Sequence, residues 1–226
     1  MKMKRMFACF CFAVLFFSIT AANAMADIND DLYSAVNSNN VQAVKDLLAK
    51  GADPNARCKN WAGKRDFTPL YAAAEEGNAE IVKLLLDKGG DVNAKCPMGM
   101  TPLMTAAEHG KRDVIPLLLG KNADVNAKDT SGETALLFAV ESNVTDNSDT
   151  AIINALLDRG ADPSLARDGW TPLMFAAARN KPGIVKLLIA RGADVNAGKD
   201  GNTALSLAES REYPEIVKAL KAAGAK

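Results

Sequence analysis

His109 is the only histidine in the chain. A single imidazole, with no second histidine or cysteine cluster at ligand spacing, gives no zinc site. The sequence also lacks a GxSxG nucleophile elbow, an HExxH pair, a Walker segment and a GxGxxG turn. Acidic residues are plentiful, 27 among 226, yet none joins a base, an orienting partner and a nucleophile in one constellation. No catalytic residue, no metal ligand and no cofactor is expected, and the chain reads as a non-enzyme. Cys58 and Cys96 are a different matter: each lies five residues after an aspartate, Asp53 and Asp91. A matched pair of this kind is a candidate disulfide wherever a chain meets an oxidising compartment.

The elements that carry these residues follow one template, clearest in Thr171 to Ala197, TPLMFAAARNKPGIVKLLIARGADVNA. Thr171 before Pro172 predicts a helix N-cap with proline at the first helical position, where its missing N–H costs nothing. Leu173, Ala176 and Ala177 give a short first helix a small-residue apolar face. Asn180-Lys181 ends it and Pro182 starts a second helix, whose Ile184, Val185, Leu187, Leu188 and Ile189 form a wide apolar stripe. Gly192 stands where a left-handed cap closes that helix. Neither helix can bury its apolar side alone, so each unit needs a neighbour of its own kind.

The sequence supplies them. TPL or TAL recurs at Thr68, Thr101, Thr134, Thr171 and Thr203, at periods of 33, 33, 37 and 32 residues. GAD or a variant recurs at Gly51, Gly89, Asn122, Gly160 and Gly192. A helix–turn–helix opened by TPL, closed by GADVN and repeated at 33 residues resembles the ankyrin repeat over roughly residues 30–226. The resemblance implies an all-α solenoid of six helix-turn-helix units with β-turn fingers. The units fall at about 31–57, 68–94, 101–127, 134–165, 171–197 and 203–226, the outer two acting as caps. In the first, Asp31, Ser34 and Asn37 alternate with Leu32, Tyr33, Ala35 and Val36, as a terminal repeat with one solvated face requires.

Departures from the template are few. The first finger runs 15 residues from Asp53 to Thr68 against 10 in the next two, and it contains Trp61, an anchor type favoured at interfaces. Pro116 is expected in the first turn of its helix, where proline is tolerated. Asn122 replaces glycine at a left-handed position. Residues 142–149, SNVTDNSD, hold five extra residues in the fourth unit and are expected to form a solvated loop. Asn143-Val144-Thr145 within them is a glycosylation triplet.

Met1 to Met6 is basic, Phe7 to Ala22 is apolar, and Ala22-Asn23-Ala24 is a small-x-small cleavage site, with Ala24-Met25-Ala26 the alternative. The apolar run is shorter than the roughly 20 residues that span a bilayer. Residues 1–24 therefore read as a signal peptide, cleaved after 24 or 26, leaving 27–226 as the repeat domain in the periplasm or outside the cell. Removing Lys2, Lys4 and Arg5 leaves 24 basic against 27 acidic side chains, a net of −3. That balance argues against nucleic-acid partners and against an anionic membrane after cleavage.

By the resemblance, the concave side consists of finger residues and the exposed side of each first helix. The residues before each TPL or TAL, Phe67, Met100, Glu133, Trp170 and Asn202, are expected there, and Phe67, Met100 and Trp170 are read with Trp61 as partner-binding. The first-helix ends add Glu75, Glu76, Glu108, His109 and Glu141, then Arg179 and Arg211, predicting an acidic N-terminal half and a basic C-terminal half. Equivalent points on stacked units normally lie beyond the 4.4–6.8 Å that a disulfide needs, so bonding Cys58 to Cys96 requires the long first finger to bend. The expected function is stoichiometric protein binding by a monomer, with a periplasmic enzyme bearing a basic patch as the foremost partner. Inhibition or self-protection, assistance to an active enzyme such as a catalase, and action on a host protein all remain open.

Overall fold

Thr68, Thr101, Thr134, Thr171 and Thr203 each start a helix. Their hydroxyls accept from the N–H three residues on, at Tyr71, Met104, Leu137, Met174 and Ser206, over 3.1–3.3 Å. This satisfies one of the donors that a helix N-terminus leaves unpaired. Pro69, Pro102 and Pro172 occupy the first helical position of three of these helices and are buried. The structure, a computed structural model, describes residues 28–59, 65–142 and 148–226.

The first helices are α1 (28–37), α3 (Pro69–Glu76), α5 (Pro102–Glu108), α7 (Ala135–Glu141), α9 (Pro172–Ala178) and α11 (Ala204–Ser210). Each is followed by a partner: α2 (Val41–Ala49), α4 (Ala79–Asp87), α6 (Ile115–Gly120), α8 (Ser148–Asp158), α10 (Pro182–Ala190) and α12 (Pro214–Ala222). From α3 to α11 first helices pack on first helices along the row, and each packs on its own partner. The alanines of α3, α5, α7 and α9 are what allow this close stacking, and Ala73, Ala74, Ala106, Ala107, Ala139, Ala176 and Ala177 are fully buried. The core runs lengthwise between the two rows, filled by Leu70, Leu85, Leu103, Ile115, Leu118, Leu136, Ile153 and Leu188. The fold is an all-α solenoid. At its N-terminal end Leu32, Tyr33, Ala35 and Val36 face inward while Asp31, Ser34 and Asn37 are exposed, as a capping unit demands.

The fingers contain short hairpins: β1 (Cys58–Lys59) with β2 (Arg65–Phe67), and β3 (Gly198–Lys199) with β4 (Asn202–Thr203), both antiparallel. Successive fingers are joined by a side-chain ladder. Asn55 Nδ2 donates to the Gly89 carbonyl and its Oδ1 accepts from the Asp91 N–H. Asn93 repeats this on Asn122 and Asp124, and Asn126 on Gly160 and Asp162. Asn196 makes the same pair of bonds to Gly224 and Lys226. Ser164 stands at the corresponding position of the fourth finger and turns back on Asp162 instead, at 2.7 Å.

Asn122 has φ +61°, as its glycine-like position requires, and Pro116 lies in the first turn of α6. The expectation of a solvated loop over 142–149 needs correction at both ends. Ser142 is buried, and the backbone of Ser148 and Asp149 already belongs to α8. Residues 143–147 lie outside the described residues, as do Trp61 and the 1–24 segment.

Candidate functional site

The candidate disulfide is not formed: Cys58 and Cys96 are both buried thiols. Each is packed into the base of its own finger. Cys58 Sγ donates to the Asn29 carbonyl at 3.4 Å, and the Cys96 N–H to the Met100 carbonyl at 3.0 Å.

Met100 also departs from expectation. It is 6% exposed and lies beneath α3, with Tyr71 Oη 4.0 Å from its sulfur. The turn through Gly99 (φ +77°) aims Met100 inward, so it is a core residue rather than a contact residue. Glu133, the equivalent position one unit on, is likewise buried at 9%. Phe67 and Trp170 are half-buried and packed on the aromatic ring of the following helix. Phe67 lies 5.1 Å from Tyr71 and Trp170 5.4 Å from Phe175, both tilted.

The first-helix ends meet along one side, but their charges do not divide into halves. Arg179 Nη1 is 2.6 Å from Glu141 Oε1, and Arg167 holds the same carboxylate at 3.1 and 3.3 Å while also pairing with Glu133. Both guanidinium groups lie over the Phe175 ring, at 4.6 and 5.6 Å from its centroid. The groove of about 650 Å³ bounded by Glu108, His109, Glu133, Glu141, Arg167 and Arg179 is thus internally neutralised towards its C-terminal side. Burial is the main influence on Glu133 and pushes its carboxyl above the usual range, against the opposing pull of Arg167. His109 Nδ1 lies 3.0 Å from the Thr105 carbonyl and 3.4 Å from the Thr105 hydroxyl, which ties the ring back to its own helix.

Further toward the N-terminus the picture changes. Glu75, Glu76 and Glu108 are exposed, and no ion pair to them forms among the described residues. Glu75 and Glu76 border a second depression of about 500 Å³, walled by Tyr33, Asn37, Phe67, Tyr71 and Met98. Burial raises the Tyr33 phenol and pushes Tyr71 up to about 12, with the Glu75 charge adding to both. Both phenols are therefore neutral at physiological pH. Among the described residues no three His, Cys, Asp or Glu side chains converge on a metal position, and no helix is long and apolar enough to cross a membrane.

Sequence reasoning missed Arg167. It precedes the unit it stabilises, and its partners Glu133 and Glu141 lie 34 and 26 residues away. In the repeat register Trp170 matches Glu133, and Arg167, three residues before Trp170 in the same finger, offered no signal beyond its charge.

The family model for ankyrin repeats, in three copies, matches residues 32–129 and 136–226. The chain belongs to the ankyrin-repeat family, whose members are protein–protein interaction modules built on a typically non-catalytic scaffold. Among solved structures it is similar to the ankyrin repeat domain of Bcl-3, a member of the IκB protein family. That pair has 29% identity and a TM-score of 0.75, covering 87% of this chain and 86% of that one. It is also similar to an ankyrin repeat domain from Acinetobacter baumannii AYE, with 31% identity and a TM-score of 0.75, covering 86% and 98% of the two chains. No curated protein matches the sequence.

Proposed function

We propose that this chain is an exported, non-catalytic binding protein. In this reading its first-helix side grips a periplasmic enzyme through a basic patch on that enzyme and inhibits it, protecting the producing cell. The observation that carries the binding reading is the run of exposed carboxylates Glu75, Glu76 and Glu108, unpaired among the described residues. One junction further on, Glu141 is already neutralised by Arg167 and Arg179. Uncompensated charge raises the encounter rate of an oppositely charged partner and suppresses wrong ones. The leader-like residues 1–24 support export, and the interaction role of the family supports a protein as partner.

The test is affinity capture from native periplasmic extract, followed by assay of the captured enzyme alone and in stoichiometric complex. Loss of that enzyme's activity in the complex is the expected result. Full or increased activity would replace inhibition by assistance. Recovery of the chain only from the medium, with no periplasmic partner, would overturn both.

A further inference from the structure

We propose that the cup between α1 and α3 receives an arginine side chain displayed by a protein partner. The proposal rests on the protein-binding reading above and specifies one contact within it. The cup encloses about 500 Å³ and is lined by elements from three units: Tyr33 and Asn37 of α1, Phe67 of β2 with Tyr71, Glu75 and Glu76 of α3, and Met98 of the next finger. Its floor is aromatic, with Phe67 tilted against Tyr71 at 5.1 Å. Met98, 53% exposed, is the one large apolar side chain so exposed among the described residues. Loose backbone does not explain this exposure, because the Met98 carbonyl accepts from both the N–H and the hydroxyl of Thr130 at 2.9 Å.

The chemistry selects the occupant. An apolar floor takes the stem of a long side chain, and carboxylates at the mouth take a cationic head. Guanidinium suits the cup better than ammonium, because its planar fork stacks on aromatic rings, pairs with carboxylates through several N–H groups and is more weakly hydrated. Tyr33 and Tyr71 supply neutral phenols, so the negative charge at this mouth comes from Glu75 and Glu76.

The test uses Nα-acetyl-arginine methylamide as probe and follows backbone amide shifts of the protein by NMR. The expected result is saturable shifts confined to Asn37, Phe67, Tyr71, Glu75, Glu76 and Met98, with a Kd on the order of millimolar. The uncharged norleucine analogue should bind about five-fold or more weakly, as should the native probe on the Glu75→Gln/Glu76→Gln protein. Both glutamates are exposed at a helix end, so this variant keeps its fold, and its unaltered amide spectrum elsewhere checks that. No localised shift up to about 50 mM probe, or equal binding of norleucine, would overturn the proposal. So would stronger binding of the lysine analogue. Because the probe needs no partner, a negative titration leaves protein binding standing. Failure of capture beside a positive titration would count against that broader reading alone.

Discussion

Asn126 reaches across the step between two fingers to fix Asp162: its Oδ1 accepts from the Asp162 N–H at 2.9 Å while its Nδ2 donates to the Gly160 carbonyl at 3.0 Å. The same double bond recurs from Asn55, Asn93 and Asn196, and Asn29 makes half of it to Asp53. A side chain that satisfies one backbone donor and one acceptor of the next unit is a ruler for the solenoid's repeat. Ser164 leaves that ruler interrupted. Among the described residues no side chain accepts from the Asp194 N–H, and the junction is instead tied by Arg191 to Asn154 and Asp158.

The ladder makes opposite predictions at two equivalent positions. Asn93→Ala removes both bonds and should cost about 1–2 kcal/mol. Ser164→Asn supplies the missing rung and should gain about 0.5–1 kcal/mol despite losing the bond from Ser164 Oγ to Asp162. Urea unfolding of both variants checks the pair. Equal and small effects would show that the ladder is ornament on stability already set by the helices.

Arg167 holds two carboxylates and covers the Phe175 ring, so Arg167→Ala leaves Glu133 buried without its cation. The expected loss is about 1–3 kcal/mol. Lys45→Ala, which breaks an exposed pair with Glu80, should change stability by less than about 0.5 kcal/mol. Thermal unfolding under identical conditions compares the two.

Burial raises the Glu133 carboxyl above its ordinary 4.5, so the folded state holds this proton more tightly than the unfolded state. Its contribution to stability is complete below the unfolded pKa and is lost as pH rises through the folded pKa. Glu133→Gln, which resembles the protonated side chain, should therefore be at least as stable as the native protein at pH 7. The native protein should gain on the variant as pH falls from neutral through the ordinary glutamate range. A native advantage at pH 7 that disappears on acidification would reverse this assignment.

Much of the architecture could be read directly from the chain because it is periodic. Threonine caps, prolines at first helical positions and small-residue faces recur at a spacing that few folds accommodate, and all are local. Met100 was misread because the residue before each threonine turns inward or outward according to its own finger's backbone, and Phe67 and Met100 fall on opposite sides of that choice. The pairing of Glu141 with Arg179 spans 38 residues, so charge type alone could not tell a neutral junction from two opposed halves. Asn55, Asn93 and Asn126 were in plain register, yet the turn they sit in already explained them, which hid their reach to the next unit.

Met100→Ser should lose about 2–4 kcal/mol, a cost typical of core truncation, whereas Phe67→Ser should retain the native helical signal at 25 °C. Circular dichroism with denaturant titration decides this. A clean test of partner contact therefore uses Phe67 and Trp170 without Met100.

With residues 1–24 removed, Cys58 and Cys96 should react slowly with a thiol reagent in the folded protein. Both should react fully on unfolding without reductant. Reaction that requires reductant would mean a disulfide and a different first finger.

The central claim is that exposed acid on the first-helix side recruits a protein. Its most direct test is the association rate with the captured enzyme, measured across ionic strength for the native chain and for Glu75→Lys/Glu76→Lys/Glu108→Lys. The native rate should fall about tenfold or more between roughly 0.05 and 0.3 M salt, while the variant associates more slowly with little salt dependence. Identical rates and slopes for the two proteins would contradict the claim and place the binding surface elsewhere on the solenoid.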